Sequence, residues 1–191
     1  MLGSSCNRLR VRVDGDDPTS GNSSNPRCEL REITKKKSNE NKDRDAGWNT
    51  NRTDNKELIF KAKVTAAPSI SGSSLVIAQV HSGGNDTAVL KVKKLSGKLK
   101  LILSGGGISG DLTLDSDYKV SSEIFTITLR VKNNRVYVKY NGSWKSSKSI
   151  NSNYRTSTTY FKAGAYILSA NNNEEGKVEF YDLKLNKYEN Y

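Results

Sequence analysis

The stretch FTITLRVKNNRVYVKY, residues 125–140, carries the clearest structural signal in the chain. Apolar side chains recur at every second position from Phe125 to Val131, with threonine or charged residues between them. Successive side chains of a β-strand point to opposite faces, so this alternation predicts a strand with one buried and one wet face. Asn133-Asn134 is a turn signal, because asparagine tolerates positive φ angles. We therefore predict a β-hairpin formed by 123–131 and 135–140.

The same period of two recurs along the chain, whereas amphipathic helical periodicity is nearly absent. The predicted strands are 56–65, 74–81, 88–94, 98–103, 123–131, 135–140, 159–168 and 177–187. Asn141-Gly142 supplies a further turn signal. Short strands separated by turns are typical of a sandwich, and we predict an all-β jelly roll of two antiparallel sheets with a concave groove.

Two local predictions follow from the same pattern. Strict alternation in 74–81 puts one set of side chains on one face, namely Val76, Ala78 and Val80. The opposite face then carries Leu75, Ile77, Gln79 and His81. The stretch from Lys35 to Asp54 is polar, charged and aperiodic, so we predict a long surface loop there.

Length and charge limit the classes of function. The 191 residues are predicted to form one domain, 1–191, and no apolar run reaches the roughly 20 residues of a membrane-spanning helix. The net charge of +11 favours a polyanionic partner, which charge alone leaves open among nucleic acid, anionic membrane and acidic polysaccharide. The sequence contains no nucleic-acid-binding motif, which argues against the first.

The two cysteines, Cys6 and Cys28, leave two alternatives open: a disulfide that ties down the N-terminal segment, or two reduced thiols. One histidine and two cysteines are too few for a typical structural zinc site. The first residues, Met1 to Cys6, lack the apolar stretch of a signal peptide. Either a signal has been removed or the protein is not exported by that route.

Three segments place polar side chains in a row on one face of a predicted strand. They are Arg27-Cys-Glu-Leu-Arg31, Gln79-Val-His81 and Tyr160-Phe-Lys-Ala-Gly-Ala-Tyr166. In each, the alternate side chains are apolar and are expected to pack inward, Cys28 included. If the three strands lie in one sheet, the polar rows form the floor of a groove.

In this order, the three segments resemble the signature motifs of polysaccharide lyase family seven, the alginate lyases. The family's motifs read Arg-Ser/Thr-Glu-Leu/Val-Arg, Gln-Ile/Val-His and Tyr-Phe-Lys-Ala-Gly-x-Tyr, and Asn25-Pro26 looks like the usual lead-in to the first. Cys28 departs from the usual Ser/Thr, and the Ile-Leu-Ser that follows Tyr166 departs from an amide residue often found nearby. The resemblance implies a jelly roll and an extracellular enzyme that cleaves an acidic polysaccharide by β-elimination, and it implies neither a metal nor an organic cofactor.

The resemblance also implies roles for individual residues. Arg27 and Gln79 neutralise the uronate carboxylate, His81 acts as base or assists in neutralisation, and Tyr166 acts as acid and, for some sugars, as base. The residues expected to grip neighbouring sugars are Glu29, Arg31, Tyr160 and Lys162. Candidates for outer subsites are Lys91, Lys93, Arg135, Tyr137 and Lys139.

The expected substrate is alginate, and we expect the enzyme to be a monomer that cleaves the polymer endolytically. Val80 favours mannuronate-containing blocks, because valine in Gln-x-His goes with such substrates in the family. A lyase for another polyuronate, such as glucuronan, is one alternative. A non-catalytic module that binds acidic glycans is another, because a jelly roll by itself does not determine function.

Overall fold

The computed structural model describes residues 8–19, 25–34, 44–82, 84–121, 123–168 and 174–187. In these ranges the regular secondary structure is almost entirely β-strand, and the one helical element is a short 3₁₀ turn at Ser152–Tyr154. The strands in chain order are β1 Leu9–Asp14, β2 Arg27–Arg31, β3 Ile33–Thr34, β4 Arg44–Asp45, β5 Lys56–Ala66, β6 Ser74–Ser82, β7 Asn85–Leu95, β8 Lys98–Ser104, β9 Leu112–Asp115, β10 Phe125–Lys132, β11 Arg135–Tyr140, β12 Ser143–Trp144, β13 Lys148–Ser149, β14 Tyr160–Leu168 and β15 Glu175–Lys187. No helix among the described residues is long and apolar enough to cross a bilayer.

The strands of the described chain form two large antiparallel sheets and one small one. A seven-stranded sheet has the order β1-β15-β5-β10-β11-β12, with β13 also paired to β11. A six-stranded sheet has the order β2-β14-β6-β7-β8-β9, and β3 pairs with β4. The predicted all-β jelly-roll sandwich of two antiparallel sheets is thus confirmed.

The hairpin predicted from 125–140 pairs β10 with β11 in the expected register, with Leu129 opposite Val138. Asn133 and Asn134 both have positive φ, 49° and 54°, as a tight two-residue turn requires. The inward side chains of the seven-stranded sheet include Phe60, which packs edge-on against Phe180 at a ring distance of 5.5 Å. The core of the sandwich therefore lies between the two sheets, and the alternate side chains of each sheet face outward.

The alternation predicted for 74–81 is interrupted. Leu75 and Ile77 belong to the main core together with Ala78 and Val80, whereas Val76 packs on the opposite face against Tyr166. The cause is a β-bulge. Val76 pairs with Lys91 and Ala78 pairs with the adjacent residue Leu90, so two steps along β6 match one step along β7. The bulge reverses the facing of the strand, so the strict alternation predicted here is wrong between Ile77 and Ala78.

The second half of the predicted loop 35–54 is also different from the prediction. Residues 35–43 lie outside the described residues, but Trp48 is buried and packs against Phe161 at a ring distance of 5.1 Å. Its indole nitrogen donates a hydrogen bond to Glu32, and its backbone pairs with Thr159. Tertiary contacts therefore bury Trp48 in a segment whose own sequence has no strand period.

The side chains of β2 that face away from its polar row are not buried as predicted. Cys28 is exposed and free in this structure, and Leu30 retains 48% of its accessible surface. The reason is that β2 is the edge strand of its sheet, and Leu30 borders an open apolar cleft formed with Phe161 and Leu183. Cys6, the other half of the suggested disulfide, lies outside the described residues.

Candidate active site

The three motif strands are neighbours in the six-stranded sheet, in the order β2-β14-β6. On one side of β14, Tyr166 pairs with Arg27 and Gly164 pairs with Glu29. On the other side, Tyr160 pairs with His81 and Lys162 pairs with Gln79. Paired residues of adjacent strands point to the same face, so the polar rows predicted from the sequence meet on one outer surface. We call this surface, formed by the polar side chains of β2, β14, β6 and β7, the polar groove.

Cationic side chains stack on aromatic rings in the polar groove. The Arg27 guanidinium lies 4.8 Å from the centre of the Tyr166 ring, and the Arg31 guanidinium lies 5.2 Å from that of Tyr160. Tyr160 also packs against the His81 ring at 5.0 Å. Such contacts hold long side chains in defined positions, and they leave the residues at the floor largely shielded from water.

The floor of the groove consists of polar side chains that are nevertheless buried. Gln79 is completely buried, and Lys162 is only 3% exposed. Within the described part of the chain, neither Arg27 Nε nor Gln79 Oε1 has a hydrogen-bond partner. Buried polar atoms normally find partners, so these two unpaired atoms mark the floor of the groove as a candidate site for a polar ligand.

Charges of both signs face each other across the floor. Burial lowers the pKa of Lys162, and the neighbouring carboxylates of Glu29 and Asp86 oppose that effect. Burial likewise raises the pKa of Glu29, against the opposing influence of Lys162 and Arg27. The groove is thus a partly desolvated site in which electrostatic interactions are stronger than in water.

Asp86 is a member of the groove that sequence reasoning missed. It pairs with His81 across β6 and β7, and its Oδ1 lies 3.7 Å from His81 Nε2. Burial raises the pKa of Asp86, while Lys162, Arg27 and Lys91 lower it. The register between β6 and β7 shifts just before this pair, so sequence spacing alone could not have identified the contact.

Glu29 is in the groove but is nearly buried, with 7% of its side chain exposed. It accepts a hydrogen bond from Gln79 Nε2, and its Oε2 lies 4.0 Å from Arg27 Nη1. This carboxylate therefore contacts two of the predicted catalytic residues.

The remaining predicted subsite residues divide between the two sheets. Lys91 lies on β7 opposite Val76, and Lys93 lies opposite Ser74, so both belong to the sheet of the polar groove. The other three are on β11 of the seven-stranded sheet, namely Arg135, Tyr137 and Lys139. Their neighbours Val136 and Val138 are buried in the core, which leaves the three on the outer surface of the opposite sheet. These three candidates for outer subsites therefore do not face the polar groove, because the two outer faces of a sandwich point in opposite directions.

No group of three or more histidine, cysteine, aspartate or glutamate side chains that could hold a metal ion occurs in the ranges that the structure describes. What the groove does offer is a cluster of cationic and amide donors beside a histidine and a tyrosine. This set can stabilise a carboxylate and transfer protons next to it.

Comparisons with known proteins agree with the motifs. The family model described as alginate lyase matches residues 3–187. The chain is 26% identical to alginate lyase AlgAT5 of polysaccharide lyase family 7, with a TM-score of 0.77, over 97% of this chain and 81% of that one. It is 27% identical to an alginate lyase from Corynebacterium sp., with a TM-score of 0.76, over 98% of this chain and 80% of that one.

A more distant structure supports the fold alone. An alginate lyase from Pseudomonas aeruginosa is 22% identical to the chain, with a TM-score of 0.73, over 94% of this chain and 82% of that one. No curated protein matches the chain. Because the family model covers nearly the whole sequence, the chain belongs to the alginate lyase family and is a polysaccharide lyase.

Proposed function

We propose that residues 1–191 form a single catalytic domain that cleaves alginate endolytically by β-elimination, with a preference for mannuronate-containing blocks. The observation that carries this proposal is the meeting of Arg27, Gln79, His81 and Tyr166 on one face of three adjacent strands. The similarity to solved alginate lyases supports alginate as the polymer.

The first task of the site is to neutralise a carboxylate. Removing the C5 proton of a uronate builds negative charge next to a group that is already negative, so the barrier falls only if donors stabilise that charge. The Arg27 guanidinium forms paired hydrogen bonds with carboxylate oxygens, and the Gln79 amide donates without adding charge. The burial of Gln79 strengthens its interaction, because less water competes for the amide.

The second task is proton transfer. A base takes the C5 proton, and the electrons of the C5–H bond form the C4=C5 double bond. The C4–O4 bond breaks, its electron pair leaves with O4, and an acid protonates that oxygen. We assign the base to His81 or Tyr166, according to the side of the ring on which the proton lies, and the acid to Tyr166.

Neighbouring sugars of the polymer carry further carboxylates, which match the cations of the polar groove. Arg31, Lys162 and Lys91 lie on three different strands of one sheet, which suits contact with more than one sugar. We propose that Tyr160 and Lys93 add to these contacts. Cations of the protein itself neutralise the charge in this mechanism, so it includes no metal or organic cofactor.

The mechanism is tested by mixing the protein separately with polymannuronate, polyguluronate and glucuronan and following the ultraviolet absorbance of the unsaturated product. We expect a rise with polymannuronate that persists in the presence of a chelator and is lost in Tyr166→Phe and His81→Ala. A rise with glucuronan alone would reassign the polymer and keep the reaction. No rise with any polymer, from folded protein that still binds alginate, would favour a non-catalytic glycan-binding module.

The finer features have separate tests. Val80 is fully buried, so any influence on sugar preference acts through the positions of Gln79 and His81. We expect Val80→Ile to shift the ratio of rates from polymannuronate toward polyguluronate. Endolytic cleavage predicts that the viscosity of alginate falls long before small products accumulate, whereas release of small products from the start would contradict it.

We further propose that the protein acts outside the cell as a monomer. A polymeric polyanion does not cross a bilayer unaided, which supports an extracellular place of action. Activity confined to washed cells, with none in the medium, would contradict this. A mass above that of one chain in light scattering would contradict the monomer.

A further inference from the structure

Glu29 and Gln79 touch although their strands are not neighbours. β14 lies between β2 and β6, so the backbones that carry the two side chains are roughly 9–10 Å apart. Gln79 Nε2 nevertheless donates a hydrogen bond to Glu29 Oε1. The two side chains must therefore meet above the middle strand.

Gly164 is the position of β14 that allows this meeting. It pairs directly with Glu29, and a Cβ atom there would come within 2.2 Å of the Cys28 carbonyl oxygen and 2.6 Å of Glu29 Cα. Only glycine lets β2 approach so closely. Glycine also carries no side chain to stand between Glu29 and Gln79.

The carboxylate determines which way the Gln79 amide faces. The terminal torsion of glutamine is broad and roughly two-fold, so an unanchored amide can exchange its oxygen and nitrogen positions at little cost. An ionised carboxylate accepts hydrogen bonds and donates none, so Glu29 selects the orientation in which Nε2 points toward it. Among the described residues no other partner competes for the Gln79 oxygen.

We propose that Glu29 is a positioning residue, which acts across Gly164 to hold the Gln79 amide in the orientation that neutralises the substrate carboxylate. This inference rests on the proposed function and deepens it. One hydrogen of Nε2 is held by Glu29, and the second remains for the substrate. Arg27 belongs to the same arrangement, because its Nη1 lies 4.0 Å from the other Glu29 oxygen.

A positioning role differs from direct contact between Glu29 and the sugar, which the family motif alone suggested. A nearly buried carboxylate beside an anionic polymer would repel the uronate if it approached it directly. Held by Gln79 and Arg27, the same charge orients the groups that bind the substrate.

The test is a double-mutant cycle on Glu29 and Gln79, with kcat and KM measured on the polymer that the wild type cleaves. A hydrogen bond to a charged group contributes enough that Glu29→Ala should lower kcat about 10- to 100-fold with a small change in KM. Because Glu29 also lies near Arg27, the double variant Glu29→Ala/Gln79→Ala should fall below Gln79→Ala by a factor much smaller than the one separating Glu29→Ala from the wild type. Glu29→Gln, whose carbonyl oxygen can still accept from Nε2, should recover part of the loss.

A matched control is Glu57→Ala. Glu57 is also buried and hydrogen-bonded, to Arg130 at 2.5 Å, but it lies on the seven-stranded sheet. We expect Glu57→Ala to lower the melting temperature and leave kcat unchanged. If Glu29→Ala and Glu57→Ala lost kcat equally, the effect of Glu29→Ala would be explained by a general loss of stability, and the proposal would be overturned.

Two further results would overturn it. One is a multiplicative loss in the double variant accompanied by a rise in KM, which is the result expected for direct binding of the sugar. The other is full activity in Glu29→Gln and Glu29→Ala. A wild type inactive on every polyuronate would instead reject the proposed function. In that case the side-chain amide signals of Gln79 still test the contact by NMR, because they should shift in Glu29→Gln if it exists and remain unchanged if it does not.

Discussion

At the scale of single residues, the polar groove contains ionisable groups whose charged forms are disfavoured by burial. Glu29 has 7% of its side chain exposed, and burial raises its pKa in spite of the nearby cations Lys162 and Arg27. A carboxylate that must ionise in such a place costs stability, and proteins accept such costs at sites where activity needs the charge. We therefore expect substitutions of Glu29 to change both the free energy of unfolding and the orientation of the Gln79 amide.

This cost predicts a pH-dependent stability for Glu29→Gln. A folded-state pKa above the unfolded value means that the proton on Glu29 stabilises the fold below the ordinary pKa of 4.5, and that this contribution is lost as pH rises through the raised value. Glutamine cannot ionise, so we expect the variant to gain stability relative to the wild type as pH rises from about 4 to about 8. Thermal unfolding across this range measures the difference, and a difference independent of pH would contradict the explanation.

At the scale of elements, the arrangement of the site depends on two irregularities rather than on regular strands. The bulge at Ile77 in β6 reverses the facing of the strand, so that Val80 packs inward while Gln79 and His81 face the groove. On the other side of β14, Gly164 lets β2 pair closely enough for Glu29 to reach Gln79. Bulges and glycines of this kind commonly direct side chains at functional sites.

Gly164→Ala is therefore expected to move β2 away from β14. The new methyl group would lie 2.2 Å from the Cys28 carbonyl oxygen, a contact that only backbone displacement can relieve. Because β2 carries Arg27 and Glu29, we expect kcat to fall at least tenfold, with stability reduced by about 1–3 kcal/mol. Enzyme kinetics and denaturant unfolding measure the two effects.

Gly97→Ala is the control for this variant. Gly97 has a positive φ of 77° in the turn between β7 and β8, and a Cβ there meets no atom within 4 Å. We expect it to lower stability through backbone strain and to leave kcat unchanged. A similar loss of kcat in both variants would mean that instability, and not displacement of β2, impairs the site.

At the scale of the whole molecule, the sandwich gives the protein two outer surfaces with separate roles. The six-stranded sheet carries the polar groove, whereas the outer face of the seven-stranded sheet carries Tyr137, Lys139 and the exposed Trp144. There the Arg130 guanidinium lies 4.3 Å from the centre of the Trp144 ring. Basic residues therefore occur on both surfaces, and their count alone does not locate the substrate.

Two lysines distinguish the surfaces in an experiment. Lys91 borders the polar groove, while Lys139 lies on the opposite sheet. Removing one cation that faces a polyanion in a partly desolvated groove should raise KM several-fold, so we expect this for Lys91→Ala and no change for Lys139→Ala. Kinetics on polymeric substrate provide the comparison, and a larger effect at Lys139 would move the binding surface to the other sheet.

The net charge of +11 predicts a strong dependence on salt. Ions screen the attraction between a basic protein and a polyanion over roughly 10 Å at 0.1 M ionic strength. We expect KM to rise as salt increases, while kcat changes less, because the buried contacts of Gln79 and Lys162 are screened less than the surface. A series of rates from low to high salt tests this, and a KM that does not respond would mean that long-range attraction contributes little.

Much of the fold and the central residues of the polar groove could be predicted from the sequence. Alternation in 56–65, 88–94 and 125–140 predicted strands that the structure contains, because the period of two is a local consequence of strand geometry. The short strands β9, β12 and β13 were missed, since two to four residues are too few to show a period. The burial of Trp48 was missed because it depends on Phe161 and Thr159, which are distant in sequence.

The sequence by itself determined the all-β class, the turn at Asn133-Asn134 and the three motif segments, because these depend on side-chain type and spacing within a few residues. Only the tertiary structure decided how those segments combine. In the strand order, β14 lies between β2 and β6, which places Glu29 in contact with Gln79. The pairing of β6 with β7 places Asp86 next to His81, whereas Lys139 lies on the other sheet. The physical reason is that register, bulges and edge position arise from pairing between distant strands, and no short stretch of sequence contains both partners of such a pair.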